Sequence, residues 1–354
     1  MTKRASHRAA GALALALACL LGASTAPVAG AAPGALDLGF SGDGLLTSDF
    51  GRGDSRAAAV VVQPDGRIVT VGDRADRFTG PGNLPDFALA RYDADGSLDE
   101  TFSGDGLQTT SFTLDVDQAT AVALQPADGK IVVAGRAGGD DGNFAVARYK
   151  TDGSLDESFS GDGLQTIDFG TYSEAAGVAV QADGAIVVAG TAGVGLSSDF
   201  ALARLEPDGD PDASFGDAGI VTTDVDTSDR AAALTLQPDG LIVVAGSAAA
   251  STGFTTDDNL FAVARYETDG DLDPGFGDGG IRTAVVNSPH GGWAAAVALD
   301  GDGRIVVAGA TALSEIAVVR LDAGGDLDAT FSGDGLALTA GSLGVGIAIG
   351  PGDT

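Results

Sequence analysis

The residues of this chain best suited to chemistry are carboxylates, set in short acidic turns at a fixed distance from an arginine. One such turn reads Asp93-Ala94-Asp95-Gly96-Ser97-Leu98-Asp99. Oxygen ligands at alternate positions around a glycine turn are how short loops wrap calcium. Comparable sets are Asp152 and Asp156; Glu206, Asp208, Asp210 and Asp212; Glu267, Asp269, Asp271 and Asp273; and Asp322, Asp326 and Asp328. On the calcium reading the ligands are Asp93, Asp95, Asp99, Glu206, Asp208, Asp212, Glu267, Asp269 and Asp273. A full calcium loop of the propeller type would add an acid two residues before Asp93. Every copy has arginine there instead: Arg91, Arg148, Arg204, Arg265 and Arg320. A guanidinium can neutralise these aspartates by bidentate pairing. The preferred reading is therefore a structural Arg–Asp clasp joining a strand to the turn that follows it.

No residue is assigned a catalytic role. Beyond the leader described below, the sequence holds one histidine, His290, beside Gly291, Gly292 and Trp293. It contains neither a G-x-S-x-G elbow nor an H-E-x-x-H metal motif. Paired acids from different units could still meet in a central channel and hydrolyse or eliminate across a glycosidic bond. His290 and Trp293 interrupt the repeat in one copy only, as an ordinary loop insertion would.

The first residues read as a secretory leader. Lys3, Arg4 and Arg8 form a basic start, Gly11 to Ala23 an apolar core too short to span a bilayer, and Ala29-Gly30-Ala31 a cleavage pattern. The expected division is a signal peptide at 1–31 and a repeat domain at 32–354, in a protein secreted or held at the cell surface. The sole cysteine, Cys19, leaves with the leader, which excludes disulfide and thiol chemistry. Loss of Lys3, Arg4 and Arg8 takes the formal net charge from −31 to −34. That charge argues against nucleic acid or anionic lipid as a partner. No later segment is long and apolar enough to span a membrane, and a monomer is expected.

These turns are positioned by a repeat. A phenylalanine and a Gly/Asp-rich turn recur at Phe40, Phe102, Phe159, Phe215, Phe276 and Phe331, every 55 to 62 residues. Between them run an Ala/Val stretch, a DG turn, an IVVAG-type segment and a segment such as DFALARYDADGSLDETF. Asp-Gly pairs between short β-branched runs signal hairpins, since glycine accepts the positive φ of tight turns. The IVVAG strand is apolar throughout, as in a strand covered on both faces. Four antiparallel strands per repeat, packed on both sides by neighbours, make an all-β propeller. The count is about five complete repeats, starting near 36, 98, 155, 211 and 272, and a partial sixth from 327.

Repeat length varies mainly between the IVVAG glycine and the FALARY strand. The two longest connections, Asp73 to Asp86 and Ser247 to Asn259, carry Arg74, Arg77, Phe78, Phe254, Asp257, Asp258 and Asn259. Insertions in repeat proteins gather on one face, often the binding face. These seven residues are the candidate ligand-binding loops, for a glycan or a surface protein.

The recurring LDxxFxxDG, QPDGxIVVAG and (D/N)FAxARYxxDGxLD segments resemble the delta-sixty repeat family of bacterial secreted or surface proteins. The resemblance covers about residues 36–340 and implies a β-propeller outside the cytoplasm, with no catalytic residues to carry over. Pro211 stands for leucine in the fourth LD, Gly324 for the usual aspartate, and Asp300-Gly301-Asp302 for QPD. The expected function is an exported, non-catalytic binding or scaffold module. The alternatives are a propeller-type hydrolase or lyase with channel carboxylates, and a structural array stabilised by calcium.

Overall fold

A glycine and an extra residue shape every repeat. In the IVVAG segment a side chain on Gly72, Gly135, Gly190, Gly246 or Gly309 would strike the carbonyl of Arg56, Gln118, Glu174, Arg230 or Trp293 on the preceding strand. That strand carries one additional residue at this level: the register skips between Ala57 and Ala59, and at the matching place in each other sheet. Such a bulge kinks a strand and re-aims the residues beside it. The recurring glycine is thus the space into which the bulged strand's backbone sinks.

The computed structural model describes residues 35–51, 53–76, 84–249, 259–286, 291–341 and 346–349. They form five four-stranded antiparallel sheets, each in simple sequence order. The first comprises β1 (Gly53–Val62), β2 (Ile68–Asp76), β3 (Asp86–Tyr92) and β4 (Leu107–Thr110). The second holds β5 (Asp117–Leu124), β6 (Ile131–Ala137), β7 (Asn143–Tyr149) and β8 (Leu164–Ile167). The third holds β9 (Ser173–Val180), β10 (Ile186–Ala192), β11 (Asp199–Leu205) and β12 (Ile220–Thr223). The fourth holds β13 (Ser228–Leu236), β14 (Ile242–Ala249), β15 (Asn259–Tyr266) and β16 (Ile281–Ala284). The fifth holds β17 (Gly292–Leu299), β18 (Ile305–Thr311), β19 (Glu315–Leu321) and β20 (Leu336–Ala340). A single 3-10 turn, Gly195–Ser197, is the only helix among the described residues.

The architecture is the expected propeller, with one shift of phase. The strand after each FSGDG-type turn hydrogen-bonds to the FALARY strand before it, so it is the outer strand of the preceding sheet. The partial sixth repeat accordingly gives its first strand, β20, to the fifth sheet. The first strands of successive sheets, β1, β5, β9, β13 and β17, pack on one another and line the axis. Apolar cores lie between neighbouring sheets. Between the first and second, Val71, Phe87, Leu89 and Phe102 meet Ile131, Val133, Ala145 and Tyr149, all within 1% of complete burial.

Each junction is pinned by the arginine of the FALARY strand. Arg148 Nε donates to Asp156 Oδ2 at 2.8 Å and Nη2 to Ser158 Oγ at 3.2 Å. Its Nη1 crosses to the Pro207 carbonyl of the next sheet at 2.5 Å. Its guanidinium carbon lies 4.8 Å from the Phe159 ring centre. Arg91 reaches Thr151, Arg204 reaches Thr268 and Arg265 reaches Ala323 in the same way. The partner aspartates Asp99, Asp212 and Asp273 accept from these guanidinium groups at 2.6 to 2.7 Å. Arg320 keeps Asp328 and Thr330 at 2.8 and 3.0 Å, but its Nη1 turns to Asp300 Oδ2 at 3.7 Å. Burial pushes the Asp156 carboxyl up, yet hydrogen bonds from Ser158 and Lys130 and the charge of Arg148 outweigh it and hold the pKa at about 2.

At the opposite end a buried side chain at the start of the inner strand ties the loops. Asp117 accepts from the backbone N–H of Phe112 and Thr113 at 2.7 and 2.9 Å and from Gly138 N–H at 3.2 Å. Asp229 accepts from Val225 N–H at 2.6 Å and Asp226 N–H at 3.0 Å, and Ser173 occupies the same place in the third sheet. Asp229 also faces Asp199 and Asp224, with carboxylate oxygens of all three within 4.8 Å of one another. Burial pushes the Asp229 pKa up to about 6, against the pull of its two backbone donors, and the neighbouring carboxylates add to the rise. Burial and the charge of Asp224 raise Asp199 in the same direction.

Two outcomes follow for stability. Removing one partner of a buried ion pair strands the other charge, so Arg148→Ala is expected to cost about 3–5 kcal/mol. Arg320→Ala, which breaks no bond to a neighbouring sheet, is expected to cost less; urea midpoints at constant slope measure both. For Asp229 the folded pKa lies above the unfolded one. Its folded state therefore holds an extra proton between 3.8 and about 6, and stability falls as pH rises through that window. We expect a higher melting temperature near pH 5 than near pH 7.5, with Asp229→Asn narrowing the gap, as read by circular dichroism.

Candidate functional site

The two ends of the array differ in kind. One end carries the DG turns after the inner strands and the acidic turns after the FALARY strands, and it repeats almost residue for residue. The other carries the β2–β3 and β4–β5 connections and their counterparts, where the repeat breaks.

At the repeating end most of the sequence-predicted calcium ligands already have partners. Asp99, Asp212 and Asp273 hold the clasp arginines. Asp95 Oδ1 accepts from Ser97 N–H and Ser97 Oγ at 2.9 and 2.6 Å, and these bonds hold its carboxyl below the usual range. Asp208 and Asp269 each accept from a backbone N–H two residues on at 3.2 Å. Asp93 accepts from Arg67 Nε at 3.3 Å. Glu206 and Glu267 open their turns on the solvent side. A second cation faces the clasp aspartate in three sheets: Arg67 near Asp99 at 3.0 Å, Lys130 near Asp156 at 3.1 Å and Arg304 near Asp328 at 3.6 Å.

Of the loop residues expected to bind a ligand, Arg74 lies on β2 opposite Asp86 and Asn259 on β15 opposite Ala249. They belong to the first and fourth sheets, and the fold does not pair them. Arg77, Phe78, Phe254, Asp257, Asp258 and His290 lie outside the described residues, as does the leader.

The structure instead brings out a row that sequence reasoning passed over. Beside each bulge, the residue after the IVVAG glycine pairs with the residue before the bulge on the inner strand: Asp73 with Arg56, Arg136 with Gln118, Thr191 with Glu174, Ser247 with Arg230, Ala310 with Trp293. No two pairs match, although the strands on either side are nearly identical. The signal was visible as a variable letter directly after an invariant glycine.

Three of these pairs are linked across sheets. Arg136 Nη2 donates to Gln118 Oε1 at 2.6 Å and Nη1 to the Tyr172 hydroxyl at 2.9 Å. Tyr172, on the connection into β9, donates its hydroxyl to Glu174 Oε2 at 3.0 Å. Asp73 on the first sheet lies under the influence of Gln118 and of the charge of Arg56. Burial raises the Asp73 pKa despite Arg56 and Gln118. Burial, and then the Glu174 charge, raises that of Tyr172. A groove of about 520 Å³ opens on this network, lined by Asp115, Val116, Arg136, Gly139, Tyr172 and Val194 among others. A phenol held between a guanidinium and a carboxylate can pass a proton in either direction. Asp73 lies at the first-sheet end of this row, its carboxyl pKa raised by burial. The Asp199–Asp224–Asp229 group at the same end offers oxygen ligands only, and its mutual repulsion eases when a proton or a cation joins it.

Solved structures similar to this chain include a periplasmic gluconolactonase from Pseudomonas aeruginosa, 18% identical over 79% of this chain and 70% of that one, with a TM-score of 0.46. A gluconolactonase from Xanthomonas campestris is 14% identical over 71% and 68%, with a TM-score of 0.37. An ulvan lyase of a polysaccharide lyase family is 11% identical over 76% and 66%, with a TM-score of 0.44. These propellers are enzymes. The expectation of a non-catalytic binding or scaffold module is corrected accordingly: these similar structures are of enzymes. At such identity the likeness is one of fold, so the chemistry must be read from this chain's own residues. No curated protein matches the chain. The model of a β-propeller domain of unknown function, DUF5122, matches residues 63–102, 127–159, 181–215, 237–276 and 301–331, one segment in each sheet. Matched over half its length and in all five sheets, the chain belongs to the DUF5122 β-propeller family.

Proposed function

We propose that this protein is an exported propeller enzyme of the hydrolase or lyase type, acting on a carbohydrate or a sugar lactone at the loop end of the inner strands. The observation that carries this reading is the network from Asp73 through Gln118, Arg136 and Tyr172 to Glu174, placed where the repeat breaks. A repeat that is kept for stability has no reason to vary at five equivalent positions beside an unvarying bulge. In the proposed chemistry Tyr172 and Glu174 exchange a proton with the substrate, and Arg136 stabilises negative charge on an oxygen. Export is inferred from the basic and apolar leader at 1–31, and the repeat segments quoted above support the finer delta-sixty assignment.

The test is turnover of sugar lactones and of neutral and uronate-bearing polysaccharides. Acid release, new reducing ends and the absorbance of unsaturated uronate ends are followed in parallel. One class is expected to turn over, with Tyr172→Phe and Glu174→Gln each lowering kcat by about 10²-fold or more at unchanged melting temperature. Turnover unaffected by both substitutions would place the chemistry elsewhere.

A further inference from the structure

The four internal junctions follow one rule. An FSGDG-type turn of one sheet seats its phenylalanine on the next sheet, and the residue after that phenylalanine donates its N–H to the acidic turn there. Ser103 donates to the Asp152 carbonyl at 2.8 Å, Ser160 to Asp208 at 2.6 Å, Gly216 to Asp269 at 2.8 Å and Gly277 to Gly324 at 2.7 Å. At two of the four junctions a tyrosine of the receiving sheet also bonds the outer strand of the donor. Tyr149 reaches Thr110 at 2.8 Å and Tyr266 reaches Thr223 at 2.9 Å.

Among the described residues no sheet precedes the first, yet its seat is filled in the same manner. Ser41 donates to the Asp95 carbonyl at 2.7 Å, with φ at 52°, the value found at Ser103 and Ser160. The Tyr92 hydroxyl donates to Ser48 Oγ at 2.8 Å. Phe40, Leu46 and Phe50 pack on Ile68, Ala90 and Tyr92. Residues 40–50 thus imitate, contact by contact, the turn and outer strand of a preceding sheet, although they form no strand themselves. One part is missing: residues 36–50 contain no arginine to bridge to the Ala94 carbonyl, the counterpart of Thr151, Pro207, Thr268 and Ala323.

The fifth sheet presents the complementary half. Phe331 is half-buried while Phe102, Phe159, Phe215 and Phe276 are wholly buried. Arg320 keeps its place over the Phe331 ring at 5.0 Å, but its Nη1 reaches no carbonyl of another sheet. Among the described residues, the fifth sheet's inner strand lacks the packing against the first that joins every other neighbouring pair.

We propose that residues 40–50 are a self-cap on the first sheet, filling a seat that the fifth-sheet edge of a second copy is built to fill. The ends are unlike and complementary, so the contact is head to tail and does not close at two subunits. A tethered segment acts at an effective concentration of about millimolar, which keeps the intact chain monomeric at micromolar concentration. Displacing the cap exposes the seat to an edge that brings the missing arginine with it.

Sedimentation velocity over a range of protein concentrations tests this on the full chain. The cap variant Phe40→Ala/Leu46→Ala/Phe50→Ala leaves all twenty strands untouched. It is expected to shift from monomer to dimer and larger species as concentration rises, while the parent chain stays monomeric. Adding Phe331→Ala and Arg320→Ala to the cap variant is expected to restore the monomer. A cap variant that keeps its β circular dichroism and remains monomeric throughout overturns the proposal. So does association that survives the two edge substitutions. Should the triple variant unfold, Phe40→Ala alone carries the same comparison at higher concentration.

Discussion

The structure depends on a guanidinium that is satisfied on both sides of a sheet boundary. Arg148 is 3% exposed and would be costly to bury alone. Its own sheet supplies the Asp156 carboxylate and the Ser158 hydroxyl, the ring of Phe159 lies against its face, and the next sheet supplies a carbonyl. The apolar faces alone would let neighbouring sheets slide. The directed bond from Nη1 fixes the distance and angle at which each sheet meets the next, and repetition of that geometry converges the inner strands on one axis.

Much of this was legible in the chain. The period, the apolar IVVAG strand and the Asp-Gly turns lead to four-stranded sheets packed on both faces. The arginine two residues before each acidic turn points to a carboxylate partner. The phase was not legible. The FSGDG turn has the strongest turn signal in the repeat and reads as a boundary, whereas the strand after it pairs backwards with the FALARY strand. Local sequence reports turns well and ladder partners poorly, because a partner is chosen by packing across the chain.

The proposed site was hidden for a related reason. Attention to length placed function in the long connections after Asp73 and Ser247. The bulge instead concentrates unlike side chains at one level of the inner strands, with Arg56, Gln118, Glu174, Arg230 and Trp293 in equivalent places. A single variable letter among repeated ones looks like drift until the register shows that all five share one row. The division that results is simple. The end that repeats holds the array together, and the end that varies is free to do chemistry. The charge follows the same plan: at the repeating end the clasp carboxylates are neutralised by arginine, and at the varying end Asp73, Asp199 and Asp229 stay desolvated and raised in pKa.

From the clasp ion pairs we infer that arginine, and not a cation from solution, satisfies the acidic turns. Thermal unfolding in millimolar calcium and again in excess chelator tests it most directly, since a ligand held by the native state raises its melting temperature by mass action. The same melting temperature is expected in both. A large rise with calcium, lost on chelation, would contradict it and make the acidic turns ion sites.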